Sequence, residues 1–182
     1  MRKFFSAFII FVFFVSACKT PEAREPVKQF SGSFIKESVE RNKKRYQEEE
    51  EIIRQIIQND STVTYIASKS GFWYKYIIKD TVNTIKPKDG DLVVFDYNIN
   101  DVFGNSIYKK EVLSPKSYLI NKEELISGLR DGLKLMKVGE TITFLFPSHK
   151  AHGYYGDTDK IGVNIMLEST VTLKSIKQQI EN

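Results

Sequence analysis

Three patterns in this sequence predict an α+β domain: an antiparallel sheet with one helix packed on it, preceded by a long N-terminal helix. Val93, Phe95, Tyr97 and Ile99 occupy every second position, and so do Ile142, Phe144 and Phe146, as in strands with one buried face. Leu125, Ile126, Leu129, Leu133 and Met136 instead fall on one stripe at helical spacing. Far upstream, Ile35, Val39, Tyr46, Ile53, Ile56 and Ile57 recur at intervals of three, four and seven. Strands grouped around a single short helix describe an α+β layer rather than alternating α/β units.

The chain of 182 residues opens with a positive Arg2-Lys3 start, an apolar run from Phe4 to Val15, and Val15-Ser16-Ala17-Cys18. This order reads as a signal peptide over residues 1–17, and its run is too short for the roughly 20 residues that span a bilayer. Cys18 is the only cysteine, so it has no partner for an internal disulfide. Residues 18–33 carry Pro21, Pro26 and Gly32 among scattered charges and read as an extended tether. Residues 34–60 read as a stalk helix with a broken seam, because Asn42 and Glu49 stand where apolar residues would complete the stripe. Such a helix docks at its C-terminal end through Ile53, Ile56 and Ile57, and its stripe also offers a dimerisation face.

Residues 61–182 read as the folded domain. Phe72 to Ile78 is its first strand, and Val93 to Ile99 its second. Asn100 to Asn105 turns the chain back through Gly104. Asn121 and Glu124 have the spacing of a capping box, which starts the short helix there, and Gly139 ends it. Gly128 and Gly132 each cost a helix about 1 kcal/mol relative to Ala, so they predict close packing against another backbone. Thr141 to Phe146 is a strand stopped by Pro147, and Met166 to Ile176 is the last. The predicted core residues Val93, Phe95, Leu133, Met136, Phe144, Val171 and Leu173 all lie beyond Thr64, so the domain is expected to fold without the stalk.

Several chemistries are disfavoured. The formal charge of +4 falls to +2 without the leader, which holds two basic residues and no acid, and no basic stripe is interleaved with aromatics; a nucleic-acid partner is not expected. His149 and His152 lack a third ligand at a characteristic spacing, so no metal is expected. Ser148 beside His149 has no nucleophile-elbow context. Asp157-Thr158-Asp159 lacks the rest of a calcium loop, and no glycine-rich phosphate cradle is present; no cofactor is expected.

One family does fit. Ile126-x-Gly128-Leu129-x-x-Gly132-Leu133-x-x-Met136-x-x-Gly139-Glu140, a strand ending at Pro147, and Ala151-His152-Gly153-Tyr154-Tyr155-Gly156 together resemble the signature of FKBP-type peptidyl-prolyl cis-trans isomerases. Upstream, Pro87-Lys88-x-Gly90-Asp91-x-Val93-x-x-x-Tyr97 and Asp101-x-x-Gly104 resemble the family's first long strand and hairpin. The resemblance implies a pocket with walls at Tyr97, Leu125, Ile126 and Ile161, and a backbone donor at Ile126 N–H. It also implies departures: Ile107 and Tyr108 replace Phe-Asp, Leu129 a floor Trp, Ser169 a Phe, Lys116 another aromatic, and His152 a donor Tyr. Activity is therefore expected to be weak. The residues ending at Cys18 resemble the bacterial lipoprotein box, which implies a lipidated Cys18 and an outer-membrane anchor facing the periplasm. With the stalk helix and the Ser148-His149-Lys150-x-x-Gly153-Tyr154 loop, the chain most resembles the gliding-motility-associated FKBP-type lipoproteins of bacteria. That resemblance implies partners among X-Pro segments of envelope proteins, or a non-catalytic scaffold role in the motility machinery.

Overall fold

A computed structural model describes residues 31–61 and 63–179, with side chains from Phe34 onward. The signal peptide, Cys18 and most of the tether lie outside the described residues. No helix among the described residues is long and apolar enough to cross a membrane. Two compact units divide between Glu37 and Ser38, and everything below concerns the second.

The second unit begins within helix α1 (Ser31–Asn59) and continues through eight strands: β1 (Ile66–Ala67), β2 (Trp73–Ile78), β3 (Leu92–Tyr97), β4 (Ile99–Asp101), β5 (Ser106–Tyr108), β6 (Lys116–Leu119), β7 (Thr141–Phe146) and β8 (Leu167–Lys177). A one-turn helix α2 (Lys110–Leu113) precedes β6, and α3 (Ser127–Leu133) precedes β7. The sheet runs β1-β2-β7-β8-β3-β6 with every pair antiparallel, and the β4–β5 hairpin joins it through β8. The predicted α+β class, with its antiparallel sheet, packed helix and long N-terminal helix, is what the chain adopts.

Strand β3 alternates as expected, with Val93, Phe95 and Tyr97 buried. Strand β7 does not: all six residues are buried, where one buried face was expected. Its Ile142, Phe144 and Phe146 join the main core with Phe72, Leu129, Leu133, Met136, Val171 and Leu173. On the other face Leu145 packs with Ile53 of α1 and Val102, flanked by Ile56, Ile57, Trp73 and Met166. The threonines between them are paired with β8, Thr141 Oγ1 to Thr172 Oγ1 at 2.9 Å and Thr143 Oγ1 to Thr170 Oγ1 at 2.8 Å. Hydroxyls satisfied this way can be buried at little cost, which is why a polar-apolar alternation hid a two-sided strand.

Helix α1 therefore covers the second face of the sheet. Ile53, Ile56 and Ile57 dock as expected, but contact extends two turns further toward the N-terminus. Glu49 is 5% exposed, Tyr46 packs its ring 4.5 Å from that of His149, and Arg45 Nη1 donates to Asn164 Oδ1 at 3.0 Å.

The start of the short helix needs correction. Leu125 and Ile126 precede α3, whose N-cap is Ile126 with no side-chain capping bond. Asn121 instead adopts φ +59° and donates Nδ2 to Asp89 Oδ1 at 2.7 Å, so the expected capping box is a turn. Gly139, at φ +87°, lies beyond the helix end at Leu133 and turns the chain into β7. Gly128 and Gly132 do mark a close approach, though mainly to rings: a Cβ on Gly128 would lie 2.4 Å from Phe146 Cδ1 and 2.9 Å from the Lys150 carbonyl oxygen, and one on Gly132 would lie 2.9 Å from Phe144 Cε1.

Candidate active site

Between the sheet and the entry to α3 lies a cavity of about 570 Å³, lined by Tyr97, Ile99, Lys116, Glu123, Glu124, Leu125, Ile126, Leu129, Arg130, Ala151 and His152. Each wall follows from local structure. Tyr97 ends β3 on its buried face, its ring 5.2 Å from that of Phe95, and burial pushes its phenol pKa up. Its backbone N–H donates to Ser114 Oγ at 2.8 Å, which ties the strand end to the approach to β6.

The turn after β6 is built on Tyr118, which is fully buried. Its hydroxyl donates to the Glu123 carbonyl at 3.3 Å and accepts from Asn121 N–H at 3.2 Å, while Glu123 Oε2 accepts from Leu119 N–H at 3.1 Å. This turn delivers Leu125 and Ile126 to the cavity in extended geometry, with Ile126 at φ −54° and ψ 139°. The Ile126 carbonyl accepts the first helical bond from Arg130 N–H at 3.1 Å. Its N–H, the first of the orphan donors at a helix start, has no acceptor among the described residues.

The opposite wall is the turn after β7. A single 3₁₀ turn (Ser148–Lys150) follows Pro147 and carries Ala151 and His152 to the cavity. The two histidines are thus separated by environment: His152 lines the cavity, whereas His149 lies at the surface, where partial desolvation, with Lys150 adding to it against Glu49, pulls its pKa below the usual value.

Of the ten residues the resemblance placed at the pocket, Tyr97, Lys116, Leu125, Ile126, Leu129 and His152 are brought together on the cavity. Ile161 is 3% exposed within the main core rather than on the cavity lining. Ser169 is 1% exposed, faces Phe144 in the β7–β8 register, and donates Oγ to the Asn98 carbonyl at 2.7 Å. Ile107 and Tyr108 pack at the edge of the core. The Tyr108 hydroxyl donates to Asp157 Oδ2 at 2.5 Å and meets Asp159 Oδ2 at 2.9 Å, so it fastens the loop after β7. The hydrogen bond to Asp157, with burial and Asp159 behind it, pushes this phenol pKa well up. Asp157 Oδ1 in turn accepts from the N–H groups of Asp159 (2.9 Å) and Ile161 (2.7 Å); the Tyr108 hydroxyl bond first, and then these two, outweigh its burial and pull its pKa down. The acidic pair, which lacked the rest of a calcium loop, closes this loop.

Sequence reasoning missed Ile99, Glu123, Glu124, Arg130 and Ala151 as lining residues. Arg130 stands four residues after Ile126, one helical turn on, and that spacing was a usable signal.

An aromatic and aliphatic cleft with a free backbone donor, set on an antiparallel sheet, defines a module that can hold an extended peptide. The particular family follows from comparison. A family model described as FKBP-type peptidyl-prolyl cis-trans isomerase matches residues 83–174, and this chain belongs to that family. FkpA from Escherichia coli has a similar structure, with a TM-score of 0.60 and 21% identity over 97% of this chain and 82% of that one. A peptidyl-prolyl cis-trans isomerase from Pseudomonas syringae pv. tomato str. DC3000 is similar with a TM-score of 0.58 and 19% identity, over 75% of this chain and 96% of its own. At these identities the two show a shared fold. No curated protein matches the sequence. Every residue lining the cavity falls inside the matched family region.

Proposed function

We propose that this chain is a weak FKBP-type prolyl isomerase, anchored in a bacterial envelope through a lipidated Cys18, where it assists the folding of envelope or gliding-motility proteins. The cavity at Tyr97, Ile126 and Leu129 is the observation that supports this reading. Rotation about an X-Pro bond faces a barrier of roughly 20 kcal/mol because twisting removes amide conjugation. The twisted amide is less charge-separated than the planar one, so a site that removes water from its carbonyl and nitrogen favours the twisted state. Tyr97, Leu125 and Leu129 supply that dry surface, and Ile126 N–H supplies a donor that holds the substrate carbonyl in place.

The rim explains why the activity is weak. Lys116, Glu123, Glu124, Arg130 and His152 make five of the eleven lining residues basic or acidic, and each brings water to a site that works by excluding it. The same polar rim favours the second reading, a non-catalytic scaffold that docks a motility partner. Peptide turnover by variants separates them. Tyr97→Ala abolishes turnover in an isomerase; a chain whose Tyr97→Ala variant matches an inactive parent is a scaffold. Neither Leu129→Trp nor Ser169→Phe is a useful refill of the floor, because both sites are 1% exposed and a larger ring at either displaces the core. The lipid anchor rests on Arg2 to Ala17 preceding a lone cysteine. Mass spectrometry of the native protein finding an unmodified Cys18 would remove it.

A further inference from the structure

Glu49 sits on the face of α1 that is buried against the sheet, where an apolar residue would be the ordinary choice. Burying a carboxyl group is costly unless its oxygens are hydrogen-bonded. Here both are used, and both by one residue: Oε2 accepts from Ser148 N–H at 2.8 Å and Oε1 from Ser148 Oγ at 2.6 Å. Ser148, 1% exposed, opens the turn that ends in His152, and its carbonyl accepts from Ala151 N–H at 3.0 Å and Gly153 N–H at 2.9 Å. The far side of the turn is held by α3, where Ser127 Oγ donates to the Lys150 carbonyl at 3.4 Å. Arg45 of α1 reaches Asn164, whose N–H donates to the Gly153 carbonyl at 2.7 Å. Ala151 and His152 are therefore presented to the cavity from a turn clamped by α1 on one side and α3 on the other.

From this we infer that Glu49 is a positioning residue for the isomerase pocket: through Ser148 it sets where Ala151 and His152 stand, so that α1 is a working part of the site and not only its stalk. The inference rests on the isomerase reading above for its effect on turnover, and on geometry alone for its effect on the pocket wall. A wall displaced by about 1 Å costs up to on the order of a hundredfold in a positioned reaction.

The test uses the full chain carrying Glu49→Ala or Glu49→Gln. Gln keeps a carbonyl that accepts from Ser148 N–H and an amide that bonds Ser148 Oγ, so it restores the clamp where Ala does not. Turnover of a short Pro-containing peptide is measured alongside the backbone amide NMR signals of Ala151 and His152. In Glu49→Ala, kcat/KM falls about tenfold and both signals move. In Glu49→Gln both return toward the parent. Parent-like turnover together with unmoved signals in a folded Glu49→Ala protein overturns the inference, as does failure of Gln to rescue. If Glu49→Ala does not fold, Ser148→Ala, which removes only the side-chain bond, is read in the same way. If the parent itself has no activity, the isomerase reading falls, and the amide signals alone decide whether Glu49 sets the wall.

Discussion

Gly128→Ala is a substitution for which helix propensity and packing point in opposite directions. Propensity favours Ala by about 1 kcal/mol in a helix interior. The new methyl would lie 2.4 and 2.7 Å from Phe146 Cδ1 and Cε1 and 2.9 Å from the Lys150 carbonyl oxygen, against an ordinary carbon contact of about 3.5 to 4.0 Å. Phe146 has nowhere to go: it is fully buried, stacked at 5.5 Å on Phe144 and edge-on to Phe72 at 5.5 Å. Overpacking of this kind costs typically about 1–3 kcal/mol, and two rigid neighbours place it at the upper end, leaving a net loss of about 1–2 kcal/mol. Gly132→Ala is the milder comparison, because its nearest contacts, at 2.9, 3.0 and 3.4 Å, are all to the Phe144 ring and include no backbone atom, so its net loss is smaller. Urea unfolding with an unchanged slope measures both. Gly128→Ala matching or exceeding the parent in stability would refute the packing argument.

Other outcomes follow from the same contacts. Ile53→Ala removes a fully buried side chain from the α1–Leu145 cluster and costs about 2–5 kcal/mol, and a fragment beginning near Ser61 loses cooperative unfolding or most of its stability; a fragment as stable as the full chain would instead bear out the expectation of a stalk-independent domain. His149 holds a depressed pKa in the folded chain, chiefly through partial desolvation of a side chain that stays at the surface, so its contribution to stability is small, is present above the unfolded value near pH 6.5 and is lost as pH falls through the lower folded value. The urea midpoint of the parent should drop between about pH 7 and pH 5.5, and His149→Phe, which keeps a ring beside Tyr46, should flatten that drop; parallel profiles would contradict the assignment. His152→Tyr leaves stability near the parent's and changes turnover, since that side chain faces the cavity rather than the core; an unchanged rate removes His152 from the site.

Much of the fold was legible because period-two and helical stripes report one buried face each. Val93, Phe95 and Tyr97 stand on the core face they were assigned, and Gly128 and Gly132 mark a close approach. Legibility failed where polar residues are buried. Glu49 broke the helical stripe and looked like a gap in a solvated stalk, yet it is bonded twice to Ser148. Thr141 and Thr143 looked like an exposed strand face, yet they pair with Thr172 and Thr170 beneath α1. Both errors share a cause: sequence patterning assigns polar residues to solvent and cannot see a partner 27, 31 or 99 positions away. At the site, Leu125 and Ile126 kept helical spacing while lying in an extended entry to α3, because apolar residues before a helix can face the same core as those within it. Ser169 and Ile161 could not be separated from the cavity lining, since core and pocket wall have the same composition here.

The central claim is that the cavity at Tyr97, Ile126 and Leu129 lowers the barrier to X-Pro rotation. NMR exchange between the cis and trans signals of one short Pro-containing peptide, with and without the purified chain, measures this without a coupling protease. A barrier lowered by about 3 kcal/mol gives an acceleration on the order of a hundredfold, and Tyr97→Ala removes it. Exchange at the uncatalysed rate across several X-Pro peptides, in a chain that unfolds cooperatively, would contradict the account.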